Sequence, residues 1–358
     1  ADIHLDASHQ RDSVVPAPDP GIDSSYTLRT AQVSVSYTLD IFGGTRRQVE
    51  AARAQAHAQS DQRDAAYLSL TANVVNAVIG EAAVRAQLDA ARAQVAIAEQ
   101  VCTLTERQQT LGAIGAAQVL AQRTALAQAQ AALPALEKQL EQQRTLLAIL
   151  GGQLPSEARG EPLTLDMLQL PAQLPLSLPS RLVDRRPDIR AAQAQAHAAS
   201  ALIGVAAAAR LPSITLSAAS GGSAPSFGHM FAAGNTQWSL AGSLLQPLFH
   251  GGALVHQQRA AEAGYAQAMA HYRSVVLNAF GEVSSALTAL QSDAQALNAA
   301  ADAQALAERT LAVVQRQQAV GAAGMADLLQ AQQAYHSTQA ATVQAQAVRY
   351  TDTVALYQ

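Results

Sequence analysis

Apolar and polar residues alternate along four stretches of this chain and follow a helical period along most of the rest. Every second residue from Val33 to Leu39 is apolar and the residues between are polar, which is the period of a strand with one apolar face. The same alternation recurs in the second half. It predicts strands at residues 1–12, 28–41, 213–222 and 237–249.

The helical pattern predicts five helices, at residues 45–111, 116–150, 187–210, 253–320 and 325 to the end. Each of the two longest would be roughly 100 Å at 1.5 Å per residue, too long for the interior of a globule of this size. In the first, apolar positions from Val84 to Cys102 recur in steps of three and four, as along a coiled-coil seam. Pro187 suits a first helical position, and Asp188 suits a first helical turn.

The second half of the chain repeats the first. QQTLGAIG begins at residue 108 and QQAVGAAG at residue 317, 209 positions later, and each interrupts a helix. Upstream, LDIFGG at 39–44 is matched by QPLFHGG at 246–252. Each half therefore runs strand, strand, long helix, glycine break, shorter helix. Only the second repeat has a helix before its first strand, so we expect the natural protein to begin earlier, with roughly 35 or more residues preceding Ala1.

Composition favours long, closely packed helices over a compact core. The 358 residues are 49% hydrophobic but only 14% charged and 4% aromatic, and alanine makes up a little under a quarter of them. Because no run of about eighteen apolar residues occurs, we exclude a membrane-spanning helix. The net charge of −4 and the lack of basic runs argue against nucleic acid as a partner.

We find no constellation of catalytic, cofactor-binding or metal-binding residues, and we expect neither an enzyme nor a bound cofactor or metal. The nine histidines are scattered, without metal-ligand spacing on a shared helical face. No serine lies in a nucleophile elbow, and no glycine run forms a phosphate loop. The single cysteine, Cys102, is interpreted as a small seam residue. The glycine-rich GGSAPSFGHMFAAG is interpreted as a surface loop between strands.

The strands fit an outer-membrane barrel, in which strands of about ten residues turn an apolar face to lipid. Tyr37 and Trp238 are candidates for its aromatic girdle. Four strands cannot close a barrel, and lipid does not tolerate an open strand edge, so several copies of the chain would be needed in a cyclic homo-oligomer. The strand pattern alone leaves an alternative open, a small soluble sheet that caps a coiled coil.

Several motifs resemble those of the TolC-type outer-membrane efflux channels, in particular the NodT/OprM-like lipoprotein branch of RND efflux systems. They are LPSRLVDRRPDIRAAQAQ (178–195), YTLDIFGGTRRQVEAARAQ, LLQPLFHGG, LLAILGGQLP and the paired GAxG breaks, in the right order along the whole chain. The resemblance implies a mainly α fold with β, assembled as a homotrimer with a twelve-stranded barrel and a periplasmic α-helical tunnel.

The same resemblance divides the chain into six segments. Strand pairs 1–44 and 212–252 would contribute to the barrel, and hairpins 45–150 and 253–358 to the tunnel. A proline-rich equatorial linker, 151–186, would lead into a short tunnel helix, 187–211.

In function, the resemblance implies a passive conduit that exports small molecules from the periplasm through the outer membrane of a Gram-negative bacterium. The expected partners are a periplasmic adaptor (membrane fusion) protein, an inner-membrane efflux pump and outer-membrane lipid. A lipid anchor would lie outside this chain, because Cys102 is within a helix. The alternative is a periplasmic adaptor or coiled-coil scaffold, but adaptors have one helical hairpin and this chain has two.

The family's helix-turn-helix tips narrow the pore and contact the adaptor. They correspond here to Gly112, Ala113, Ile114 and Gly115, and to Gly321, Ala322, Ala323 and Gly324. The resemblance also assigns Asp327 to a pore gate, a ring of three carboxylates about the threefold axis. The alternative is an aspartate that complements the helix dipole. The first repeat has Gln118 at the equivalent position.

Overall fold

In a computed structural model, the described residues form four strands and five α-helices. The structure describes residues 2–12, 24–156, 164–168 and 185–357. The strands are β1 (Asp2–Asp12), β2 (Ser24–Leu39), β3 (Ser213–Ala224) and β4 (Thr236–Leu245). The helices are α1 (Gly44–Thr110), α2 (Ala116–Leu150), α3 (Pro187–Ala208), α4 (Ala253–Ala319) and α5 (Met325–Leu356). Two 3₁₀ helices, Leu165–Met167 and Phe227–His229, complete the described elements.

Predicted and observed helices agree within two residues at every boundary, which confirms a mainly α fold with four strands. Two strand boundaries were wrong. β2 begins at Ser24 and not at residue 28, because its early residues pair with β1. β4 ends at Leu245 and not at residue 249, since Pro247 has no N–H to continue a ladder. The predicted proline-rich loop before β2, and most of the linker after Gly152, lie outside the described residues.

The four strands form one antiparallel sheet in the order β1-β2-β3-β4. β2 pairs with β3 from Arg29 opposite Ala224 to Leu39 opposite Ile214, so the strands of the two repeats meet at the centre of the sheet. In the described part of the chain, β1 and β4 each have one paired neighbour. As far as the described residues extend, the sheet of a single chain is therefore open at both edges.

The loop between β3 and β4 is the glycine-rich connection predicted from the sequence, although β3 extends four residues into it. Met230 is 2% exposed and folds back over β3. A Cβ on Gly222 would lie 2.1 Å from the Met230 carbonyl oxygen, so only glycine allows this close approach.

Ion pairs at regular intervals connect α1 and α2 as an antiparallel hairpin. Arg123 Nη2 is 2.8 Å from Glu106 Oε1, and Arg92 Nη2 is 3.1 Å from Glu137 Oε1. The predicted seam is confirmed, because Leu88, Val95 and Cys102 are buried on α1. Cys102 Sγ is 3.8 Å from Glu106 Oε1, one turn along the same helix.

The described residues divide into two compact units, each of which draws on both repeats. One comprises residues 1–60 and 191–273 and contains the sheet; the other comprises residues 61–190 and 274–358 and contains both glycine turns. In the second unit, Tyr350 of α5 packs with Ile79 of α1 and Leu165 of the linker. The Tyr350 hydroxyl donates a hydrogen bond to the carbonyl oxygen of Leu168, at 2.5 Å.

The exclusion of a membrane-spanning helix was too strong. α1 contains an 18-residue stretch that is long and apolar enough to cross a membrane by length and composition alone. The mean hydropathy of such a stretch can be high even when isolated polar residues interrupt its apolar run. The alanine-rich core helix of a soluble protein can reach the same mean hydropathy.

Candidate functional site

The sheet has one apolar and one polar face. Residues paired across an antiparallel ladder lie on the same face, and neighbours along a strand lie on opposite faces. The register gives three successive apolar rungs: Tyr37–Leu216–Gly242, Val35–Ala218–Leu240 and Val33–Ser220–Trp238. The rungs between them are polar or small: Thr38–Thr215–Ser243, Ser36–Ser217–Ala241 and Ser34–Ala219–Ser239.

The apolar face is uncovered in the single chain. Trp238 is 80% exposed, Leu240 74% and Tyr37 62%. On the polar face, hydroxyls bond across strands, as between Thr38 Oγ1 and Thr215 Oγ1 at 3.1 Å. An antiparallel sheet in water buries its apolar face on a core, so this exposed face needs an apolar environment from outside the chain.

Tyr37 and Trp238, the two predicted girdle residues, lie on this same apolar face. Their rungs are four residues apart, which is about 13 Å along the strands. That separation is about half the height of an outer-membrane apolar band. Tyr37 and Trp238 therefore lie on the face that a girdle requires. Their assignment to the boundary between lipid and water stays a prediction.

The two glycine turns have the same hydrogen bonds. In the first turn, the N–H of Gly112 donates to the carbonyl of Gln109, and the N–H of Ala113 donates to the carbonyl of Gln108. The same two bonds occur 209 residues later in the second turn, where Gly321 donates to Gln318 and Ala322 donates to Gln317. Gly112 and Gly321 have φ of 72° and 74°, in the left-handed region that ends helices. Just before them, Leu111 and Val320 are 83% and 79% exposed, so each turn presents an apolar side chain.

Asp327 and Gln118 have the same local role at the starts of α5 and α2. The N–H of Gly324 donates to Asp327 Oδ2 at 2.9 Å, and the N–H of Gly115 donates to Gln118 Oε1 at 3.3 Å. Each side chain satisfies an N–H group that the helix leaves without a partner. The predicted interaction with the start of the helix is therefore present, and a gating role stays a prediction.

The strand–helix junctions were not recognised as candidate sites from the sequence. At the first junction (residues 40–46), the carboxylate of Asp40 accepts hydrogen bonds from the N–H groups of Thr45 (3.0 Å) and Arg46 (2.8 Å). Partial burial raises the pKa of Asp40, but these bonds and the Arg46 guanidinium outweigh it and lower the pKa overall. The second junction (residues 246–255) has Pro247 where the first has Asp40, counting back from the shared phenylalanine.

Where α3 begins, Arg186 connects two elements. Its Nη2 is 2.9 Å from Asp188 Oδ2 and 2.7 Å from Glu282 Oε2 on α4. Burial raises the pKa of Asp188, but the Arg186 guanidinium and the backbone N–H of Ile189 together outweigh it, so the pKa is lowered overall. Asp188 lies in the first turn of α3, as predicted, and also accepts a hydrogen bond from the N–H of Ile189 at 2.9 Å. We interpret this cluster as structural.

Comparison with known proteins shows a match along nearly the whole chain. The model of the outer membrane efflux protein family matches residues 2–152 and 178–358. The chain is 34% identical over 296 residues to the pyoverdine export outer membrane protein OpmQ of Pseudomonas putida, covering 80% of this chain and 61% of that protein. It is 31% identical over 340 residues to the toluene efflux pump outer membrane protein TtgC of Pseudomonas putida, covering 95% and 69%.

Two solved structures have the same fold. The outer membrane protein VceC of Vibrio cholerae matches with a TM-score of 0.84 and 27% identity, over 99% of this chain and 85% of that one. The MtrE outer membrane channel of Neisseria gonorrhoeae, in its open state, matches with a TM-score of 0.85 and 27% identity, over 99% and 79%.

Proposed function

The chain belongs to the outer membrane efflux protein family, and from that premise we propose that it forms the outer-membrane channel of a tripartite efflux system. The channel would be a passive conduit for small molecules from the periplasm to the outside of a Gram-negative bacterium. The two-faced sheet is the observation that carries this proposal. An exposed apolar face opposite a face of Ser and Thr side chains suits a wall between lipid and a watery pore.

The open edges of the sheet support an assembly of several copies. Backbone groups at an unpaired edge cannot be satisfied in lipid, so β1 of one copy would pair with β4 of the next. The family resemblance supports three copies, which would give a homotrimer with a twelve-stranded barrel. The long helices would continue into the periplasm as a tunnel.

The partners in this proposal are a periplasmic adaptor protein and an inner-membrane pump. Each glycine turn presents an exposed apolar residue, Leu111 or Val320, beside a tight reversal, which suits a helical partner. Asp327 would form the pore gate, because three copies near the axis would give a ring of carboxylates that attracts cations. The proposal needs no catalytic group, since a conduit does not react with its cargo.

Single-channel recording on the full-length natural protein tests the proposal. The protein should purify in detergent as a trimer by native mass spectrometry and give stepwise ion conductance in planar lipid bilayers. Heat-dissociated protein is the control and should give none. A water-soluble monomer without conductance would refute the channel and favour the scaffold alternative.

A further inference from the structure

Four helices of the second compact unit, residues 61–190 and 274–358, lie side by side. Ion pairs join α2 to α1. α1 also contacts α5, where Gln87 Nε2 donates to Gln344 Oε1 at 2.8 Å. α5 contacts α4, where Thr342 Oγ1 donates to the carbonyl of Ala300 at 3.1 Å. These contacts give the order α2-α1-α5-α4, so α2 and α4 lie at the two ends of the row.

The internal repeat relates the ends of this row to its centre. α1 and α4 begin 209 positions apart, at residues 44 and 253, and α2 and α5 also begin 209 positions apart, at residues 116 and 325. Because α1 packs against α5 as well as α2, the repeat predicts that α4 packs against α5 and against a second α2. The chain's own α2 lies at the other end of the row, so an α2 that fits there belongs to another copy.

The face of α4 that would meet another copy is exposed in the single chain. On α1, Ile79 and Ala83 are 3% and 5% exposed, because they belong to a cluster with residues of α5. Their equivalents on α4, Thr288 and Ser292, are exposed. The same helix face is thus covered in the first repeat and open in the second.

The matching face of α2 is exposed as well. On α5, Ala347 and Tyr350 are buried in the cluster with α1. Lys138 and Glu141 occupy the equivalent positions of α2, and both are exposed. Each end of the row therefore presents the face that its repeat equivalent uses inside the chain.

We infer that α2 of one copy packs against α4 of the next, in the register in which α5 packs against α1 within the chain. In that register, Ala135 of α2 would lie opposite Ala296 of α4, as Gln344 lies opposite Gln87. The inference rests on the proposed function, because it requires a channel assembled from several copies, and it identifies the helix faces that join them.

Apolar side chains support this pairing near the end of α2. Leu68 of α1 and Ala355 of α5 line one cavity of the second unit. Their repeat equivalents are Leu277 of α4 and Leu146 of α2, which are 70% and 43% exposed in the single chain. Contact between these two leucines would remove both from water.

Further along the same faces, the contact between copies would be polar. Lys138 stands where α5 has the buried Ala347, and Thr288 and Ser292, on the face of α4 opposite, carry hydroxyl groups. A lysine ammonium has three donors and no acceptor, so these hydroxyl oxygens suit it. At the same level, the contact within the chain is an apolar cluster. The two contacts would therefore share a register and differ in chemistry.

Cysteine cross-linking of the detergent-purified, full-length natural protein tests the register. In a Cys102→Ser background, Ala135→Cys together with Ala296→Cys should give covalent trimers when treated with a short bismaleimide. Three helix spacings of about 8–10 Å each separate α2 from α4 within one chain, so the reagent reaches only between copies. Ala135→Cys with Ala303→Cys, about 10 Å further along the same face of α4, is the matched control and should give no trimers. Cross-linking of the control pair but not of the first pair would overturn the register.

A second measurement uses single cysteines and needs no bridge. Ala296→Cys should react with a maleimide about tenfold more slowly in the trimer than after heat dissociation, because reaction then requires local separation of the copies. Ala301→Cys is the control and should react equally in both states, since its equivalent on α1, Arg92, stays 55% exposed. Equal rates for Ala296→Cys would leave this face open to another helical partner, such as an adaptor, and would overturn the inference.

The contact within the chain calibrates the reagent, and conductance separates the two proposals. Gln87→Cys with Gln344→Cys should give a bridged monomer, because both residues lie in one chain. Conducting trimers with neither cross-link nor protection would refute only the pairing of α2 with α4. A non-conducting monomer would refute the channel, and the pairing with it.

Discussion

At the scale of single residues, Asp327 and Gln118 occupy equivalent positions at the starts of their helices, and only Asp327 is charged. Both accept a hydrogen bond from the N–H of the glycine that starts their helix. Asp327→Asn should keep an oxygen acceptor and remove the charge, so thermal stability should fall only slightly, through the lost interaction with the helix dipole, while cation block or conductance changes. Asp327→Ala should change both. Single-channel currents with divalent cations on the periplasmic side measure the first effect, and an unchanged trace for Asp327→Asn would remove the gate.

In each turn, one glycine has a positive φ that other residues rarely adopt, and the other glycine has an ordinary negative φ. Gly112 has φ of 72°, where a side chain costs about 1–2 kcal/mol, whereas Gly115 has φ of −85° and open space around it. Gly112→Ala should lower the apparent Tm, and Gly115→Ala should leave it the same or raise it. Gly321→Ala and Gly324→Ala form the same pair in the second repeat. Equal melting of both alanine variants in one turn would contradict the argument.

Asp293 of α4 makes stability depend on pH. Burial raises the pKa of Asp293, and so do the hydrogen bond that it shares with the carboxylate of Asp352 on α5 and the negative charge of that carboxylate, while the positive charge of Arg349 opposes them. The folded state therefore holds the proton more tightly than the unfolded state, and stability falls as pH rises through the raised pKa. Asp293→Asn should stabilise the protein at pH 7 by about 1 kcal/mol, the size of a like-charge contact in water.

Thermal unfolding at neutral and acidic pH measures this effect, and the gain should shrink as the pH is lowered through the raised pKa of Asp293, because the wild-type carboxyl then becomes protonated. Asp302→Asn on the exposed side of the same helix is the control, and it should give no gain. A gain for Asp293→Asn that is independent of pH would exclude the titration of Asp293 as its cause.

At the scale of elements, the linker is attached to the helices through Tyr350. Its hydroxyl donates to the Leu168 carbonyl, and its ring is 9% exposed in the cluster with Ile79 and Leu165. Tyr350→Phe should cost about 1 kcal/mol, because it leaves that carbonyl without its donor. Amide exchange near Leu168 should accelerate before global unfolding. Tyr357→Phe, in the same groove but 48% exposed, should change neither quantity.

At the scale of the whole molecule, the two faces of β4 predict opposite outcomes for the same substitution. Leu240 lies on the apolar face and Ser239 on the polar face, one residue apart. Leu240→Lys should cost about 2–4 kcal/mol in lipid and reduce the amount of trimer in vesicles. Ser239→Lys should insert normally and shift the reversal potential toward anions. Normal insertion of both variants, with equal selectivity, would contradict the assignment of the faces.

Local patterns predicted most of the elements. Alternation from Val33 to Leu39 specifies a strand wherever it occurs, and the helical period from Val84 to Cys102 continues until glycine interrupts it, because both depend on neighbours along the chain. The ends of β2 and β4 were less predictable. Pairing with β1 extends β2 to Ser24, and that partner is a property of the sheet.

Much of the candidate site was also within reach of the sequence. The repeat identified both glycine turns and the equivalence of Asp327 and Gln118 from their spacing alone. The cavity at the second junction was not found, since it unites Arg210, which follows α3, with the first turn of α4 some forty residues later. The aligned repeats show that Pro247 stands where the first repeat has Asp40. They do not show that Asp40 binds the N–H groups of Thr45 and Arg46, which only the tertiary structure reveals.

By itself the sequence determined the identity of the elements, their repetition and the two faces of each strand, because these follow from residue periodicity and from glycine and proline chemistry. Only the tertiary structure decided that β2 and β3 pair at the centre of the sheet, which rungs align, and which side chains stay exposed. These outcomes depend on contacts between residues about 180 positions apart, such as Tyr37 and Leu216. No local pattern encodes such a contact, since its free energy exists only when both strands are in place.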